Sequence, residues 1–186
     1  MGLLKIIRKL KKEDKEMRIL MLGLDNAGKT TVLLTFCGDS ISDIPPTVGF
    51  NIKTIPVDGL KVNIWDVGGQ KSIRSFWRNY FDTTDGLVWV VDSSDHHRLL
   101  DCKAELDNLL KEERLCGASL LILANKQDLP GALSLHQIGE ILQLDTIKSS
   151  RRCAVFPCSA YDKDSVDKCI KWIVTDVGNR MYSIRY

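Results

Sequence analysis

Eight consecutive residues, Gly23-Leu24-Asp25-Asn26-Ala27-Gly28-Lys29-Thr30, set two glycines, a lysine and a hydroxyl at the spacing G-x-x-x-x-G-K-[ST]. Such a loop wraps its backbone around phosphate oxygens, and the helix that follows aims N–H groups and partial positive charge at them. In that chemistry Lys29 reaches the outer phosphates of a nucleotide and the Thr30 hydroxyl ligates Mg²⁺, with Gly23, Asp25, Asn26, Ala27, Gly28 and Thr31 completing the cradle. Downstream, Asp66-Val67-Gly68-Gly69-Gln70 follows a strand-like run. Asp66 can hold the metal through water, Gly69 can offer a bare backbone N–H to a γ-phosphate, and the Gln70 amide can orient an attacking water. Thr47, behind Pro45 and Pro46, is a candidate second Mg²⁺ ligand.

A second constellation reads a base. Asn125-Lys126-Gln127-Asp128 follows the apolar run Leu120–Ala124. The Asp128 carboxylate can accept from the N1–H and exocyclic amine of guanine, whereas adenine lacks that donor pair and would leave the carboxylate unsatisfied. Asn125 would brace the loop and the Lys126 stem would lie along the purine. Cys158-Ser159-Ala160 follows the last strand-like run, with the Ala160 amide offered to the guanine O6 and Ser159 beside it.

These loops need a frame. Runs at Arg18–Leu24, Phe50–Val57, Lys61–Trp65, Leu87–Val91, Leu120–Ala124 and Ala154–Phe156 read as strands, with helices expected near Gly28–Phe36, Leu99–Arg114, Ser134–Leu142 and Asp164–Met181. Asp58-Gly59 between two such runs signals a hairpin. Helix-length connections elsewhere imply parallel pairing. The expected fold is an α/β, six-stranded, mostly parallel sheet with helices on both faces. The length of 186 residues suits one domain. An N-terminal amphipathic helix at 1–16, with Leu3, Ile6, Ile7 and Leu10 in one stripe, should precede a main domain at 17–186.

The net charge is +2, although residues 1–18 alone hold seven basic and three acidic side chains, leaving the remainder at −2. That is a poor footprint for nucleic acid. No apolar run nears the length of a bilayer span. The six cysteines never fall as Cys-x-x-Cys, which favours reduced packing thiols in a cytoplasmic protein.

Taken together, Gly23–Thr30, Pro46–Asn51, Trp65–Gln70, Asn125–Asp128 and Cys158–Ala160 resemble the Ras-like small GTPases, and most closely the ADP-ribosylation-factor-like (Arf-like) group, at its second branch. Asp25, the Trp65-Asp66-Val67-Gly68-Gly69-Gln70 run, Arg78-Asn79-Tyr80-Phe81 and the basic N-terminus mark the subgroup. The resemblance implies a Ras-like P-loop GTPase fold, GTP/GDP and Mg²⁺ as cofactors, and slow hydrolysis that times a switch. It implies that Phe50, Trp65 and Tyr80 form an effector patch in the GTP state, although by residue type alone three such aromatics read as core. It also implies an exchange factor and effectors of the prenyl-binding carrier and tubulin-cofactor types, hence a cytoskeleton-associated location. Ile6 stands where lipid-modified members carry Ser or Thr, and the tail has no prenylation cysteine, so membrane contact is expected to be weak at most. No arginine lies at a position in the motifs that supplies transition-state charge, so an activating protein should contribute one in trans, worth about 10³–10⁵ in rate. A monomer is expected. The competing readings are an adenine-nucleotide kinase, which Asp128 opposes, and a non-cycling, nucleotide-stabilised scaffold, which Gln70 and Thr47 oppose.

Overall fold

The computed structural model describes residues 15–182. The helix expected at 1–16 lies outside the described residues apart from Lys15 and Glu16, and Glu16 opens the first strand.

Six strands form one sheet in the order β2-β3-β1-β4-β5-β6. They are β1 (Glu16–Leu22), β2 (Phe50–Val57), β3 (Leu60–Val67), β4 (Gly86–Asp92), β5 (Ser119–Asn125) and β6 (Cys153–Pro157). β2 pairs antiparallel with β3, and the other neighbours pair in parallel. The hairpin turns on Asp58 and Gly59, both at positive φ, which a two-residue turn of matching twist requires.

Alternation in the strands sorts the core onto two faces. Ile19 and Met21 point to one side with Val88, Val90, Leu121 and Leu123. There they pack beneath α1 (Lys29–Cys37) and α5 (Lys163–Tyr182). Leu20 and Leu22 point to the other side with Leu87, Trp89, Leu120 and Ile122. Those lie beneath α2 (Leu99–Leu110), α3 (Leu135–Leu142) and α4 (Leu144–Ser150). Both faces are covered, so the central strands carry near-continuous apolar runs, Ile19–Leu22, Leu87–Val91 and Leu120–Ala124, as buried parallel strands do.

Several boundaries differ from the sequence reading. β1 stops at Leu22, so Gly23 and Leu24 already belong to the loop. β3 runs on through Val67 and carries Asp66 within it. The helix expected to reach Arg114 ends at Leu110, and a short 3₁₀ turn at Glu113–Leu115 follows. Three elements were not foreseen, the 3₁₀ segments Lys71–Tyr80 and His96–Arg98 and the helix α4. Among the described residues no helix is long and apolar enough to cross a membrane. All six cysteines are free.

Candidate functional site

Parallel strands deliver their following loops to one edge of the sheet, and the motif residues gather there. The loop after β1 turns through Gly28 at φ 90° into α1. A side chain at Gly28 would collide with the Asn125 amide, so glycine is required both for the turn and for the close approach. Opposite it, Gly69 lies against the loop backbone so closely that a Cβ would strike the Asp25 nitrogen and the Gly23 carbonyl.

Between these walls is a cavity of about 330 Å³. Asp25, Asn26, Gly28, Lys29, Thr30 and Thr31 line one side of it, and Thr47, Gly69 and Gln70 line the other. Lys29 is buried and donates to the carbonyls of Gly23 (3.2 Å) and Leu24 (2.9 Å). Burial pushes its pKa down to about 8, with Asp66 and Asp25 pulling upward and Arg74 adding to the drop. An anion in the cavity would offset the cost of that burial by favouring the charged ammonium.

Three oxygens meet at one point beside the lysine. Thr30 Oγ1 is 2.7 Å from Thr47 Oγ1 and donates at 2.7 Å to Asp66 Oδ2, which is 3.5 Å from Thr47 Oγ1. The second carboxylate oxygen, Asp66 Oδ1, is buried without a hydrogen-bond partner among the described residues. Hard oxygens on a buried carboxylate and two hydroxyls suit Mg²⁺. Gln70 Oε1 is likewise buried and unpartnered.

Two side chains of the 3₁₀ segment hold the Gly68–Gly69 backbone. Trp77 Nε1 donates to the Gly68 carbonyl (2.9 Å) and Arg74 Nε to the Gly69 carbonyl (2.8 Å). Because a trans peptide sets N–H opposite C=O, these anchors also fix the direction of the Gly69 and Gln70 N–H groups.

At the base-reading end, Asn125 is fully buried and ties three loops together. Its Nδ2 donates to the Ala27 carbonyl (2.8 Å), while its Oδ1 accepts from the Ala160 N–H (2.9 Å). Lys126, at φ 65°, donates to Asp92 Oδ2 (2.6 Å). Asp128 is exposed on the same loop, and Ser159 caps Tyr161 N–H (3.3 Å). Asp162 then receives the Asp164 N–H (3.1 Å) where α5 begins, giving that turn a definite shape without glycine.

Phe50, Trp65 and Tyr80 do form a patch. Their ring centroids lie 5.3–5.7 Å apart, with Phe50 stacked on Trp65. Phe50 is 47% exposed and its neighbours Val48 and Ile52 are also open, so the core reading by residue type fails for Phe50, whereas Trp65 and Tyr80 are half-buried against the core. The Arg18 guanidinium lies over the Trp65 ring at 3.9 Å.

Sequence reasoning missed Arg74 and Arg98, which both reach Asp25. They stand 49 and 73 residues from it, and no local pattern connects them.

The comparisons agree with this geometry. The family model described as the ADP-ribosylation factor family matches residues 3–177. The chain is 61% identical to ADP-ribosylation factor-like protein 2 of Arabidopsis thaliana over 99% of this chain and 100% of the relative. It is 53% identical, at the same coverage, to ADP-ribosylation factor-like protein 2 of Drosophila melanogaster. Among solved structures it is similar to the Arl6 BBS3 small GTPase of Trypanosoma brucei with the bound nucleotide analogue GppNp. The TM-score is 0.80 and the identity 32%, covering 88% of this chain and 98% of that one.

Proposed function

Because the chain belongs to the ADP-ribosylation factor family of small GTPases, whose members bind GTP and GDP and hydrolyse GTP, we propose that it is a Mg²⁺-dependent GDP/GTP switch with slow intrinsic hydrolysis. The observation that carries this reading is the pair of hydrogen bonds made by the Asn125 amide, which joins the phosphate loop at Ala27 to the base loop at Ala160. One rigid side chain thereby spaces a phosphate cradle and a guanine reader for a single molecule.

In the proposed reaction Lys29 binds the β- and γ-phosphates. Thr30, Thr47 and Asp66 would hold Mg²⁺, which when bound neutralises charge on the outer phosphates. The Gly69 N–H contacts the γ-phosphate, and Gln70 orients water for in-line attack. Asp128 accepts from guanine and the Lys126 stem covers the purine, while the Ala160 N–H, which Asn125 Oδ1 already accepts, would meet O6 only as a shared, three-centre donor. Thr47 and Gly69 sit on different loops, so a γ-phosphate that engages both holds the two loops together, and its loss releases them.

Phe50, Trp65 and Tyr80 are the effector patch of this reading, since their exposed face borders both loops. Prenyl-binding carriers and tubulin cofactors are proposed as the partner types, and an activating protein is proposed to bring an arginine in trans. The test is equilibrium competition on purified protein with Mg²⁺. GTP and GDP should displace a labelled guanine nucleotide, whereas ATP should not at about 10³-fold excess, because Asp128 would lack its donors. Displacement by ATP at comparable concentration would overturn the guanine assignment.

A further inference from the structure

Asp25 lines the phosphate cavity and carries a half-exposed carboxylate into the phosphate loop. It sits at the end proposed for the γ-phosphate, since Gly69 packs directly on the Asp25 backbone. Asp25 is not left as a bare charge. Arg98 NH1 donates to Asp25 Oδ2 (3.1 Å) and Arg98 NH2 to its carbonyl (3.2 Å). Arg74 NH2 approaches Asp25 Oδ1 at 3.5 Å from the opposite side. Each guanidinium is itself held. Arg98 Nε bonds Asp95 (2.5 Å), and Arg74 bonds Glu105 (2.9 Å) and the Gly69 carbonyl (2.8 Å).

We propose that Arg98, with Arg74, neutralises and draws aside the Asp25 carboxylate so that the phosphate loop can accept a third phosphate, making Arg98 a positioning residue that sets the preference for GTP over GDP. This rests on the guanine-nucleotide reading given above. GTP carries one more negative charge than GDP, and that charge arrives at the Asp25 end. A carboxylate within a Debye length of about 8 Å repels it unless a fixed cation cancels the field. GDP leaves that end empty and is nearly indifferent to the clamp. Three N–H groups of each guanidinium are held, those of Arg98 by Asp95 and Asp25 and those of Arg74 by Gly69, Glu105 and Asp25, which ties both arginines to the clamp. The charges of Asp25 and Arg74 are both felt at Lys29, which is the phosphate-binding cation of the loop.

Affinities for GDP and for a non-hydrolysable GTP analogue, measured by displacement on the full chain, test the idea. Arg98→Ala should weaken the analogue about tenfold while leaving GDP within about twofold. Asp25→Asn in the same chain should restore the ratio, since the repulsion it removes is the one Arg98 cancels. Asp25→Asn alone should shift preference towards the analogue, which keeps the test open if Arg98→Ala folds poorly. Equal weakening of both nucleotides, an unaltered analogue affinity, or no recovery in the double variant would each overturn the clamp. Failure of the unsubstituted protein to bind either nucleotide would instead overturn the underlying assignment.

Discussion

Gln70 ends in a buried oxygen that meets no donor among the described residues. Such an atom costs about 1–3 kcal/mol unless something supplies a hydrogen. A water beside the γ-phosphate is the natural donor. Gln70→Leu should therefore keep GTP affinity and slow single-turnover hydrolysis by about 10²-fold or more, the range spanned by loss of one positioned general catalyst. An unchanged rate would remove Gln70 from the reaction. Thr30→Asn should weaken the metal-dependent part of GTP binding, read as loss of the difference between Mg²⁺ and chelator, because one of the three converging oxygens is replaced by an amide. Most of these site residues were legible in the sequence because their chemistry lies in short contiguous spacings. The arginines on Asp25 were not legible. They reach it only through the folded path of the chain, and arginine on a helical surface ordinarily signals nothing but solvation.

At the scale of elements, the segment Lys71–Tyr80 decides how the loop after β3 is held. It folds as 3₁₀ turns, although Ile73, Phe76, Trp77 and Tyr80, at i, i+3, i+4 and i+7, do form a helical stripe that the sequence offered. α4 escaped notice because its seven residues are too few to show periodicity. The central strands were legible because their burial on both faces forces apolar runs, while strand ends, set by where loops turn, shifted by at most two residues. Trp77 is the buried anchor of the 3₁₀ segment, packed edge-on against Trp89 at 5.9 Å. Trp77→Phe keeps an aromatic ring but removes the donor to the Gly68 carbonyl. The expected loss is about 1–3 kcal/mol in denaturant unfolding, with faster release of a GTP analogue than of GDP. Equal acceleration of both would mean that the bond supports the core alone.

At the scale of the whole molecule, chemistry and stability are set at opposite edges of the sheet. Asn125 closes β5 at the nucleotide edge, and Ser119 opens it about 20 Å away at ~3.3 Å per residue. At that far edge Asp176 of α5 accepts from the buried Ser119 hydroxyl (2.6 Å) and from Arg152 Nε (3.0 Å), pinning the last helix to the sheet. Burial alone would raise the Asp176 pKa. The bonds from Arg152 and Ser119 overcome it and hold the carboxyl below its ordinary value. A depressed acid stabilises the fold above its unfolded pKa, and that contribution disappears as pH falls through the folded value. Asp176→Asn puts an amide where two donors converge, so it should cost about 1–3 kcal/mol at pH 7. The gap between variant and parent should then narrow below about pH 4, as the parent's carboxyl takes up its proton. Denaturant unfolding at neutral and acid pH reads this directly. The ratio of GTP-analogue to GDP affinity should stay unchanged throughout, because the pin lies a full strand length from the phosphate loop. A gap that persisted in acid would show that the ionised carboxylate contributes nothing there, and a shifted nucleotide ratio would mean that the two edges are mechanically coupled through α5.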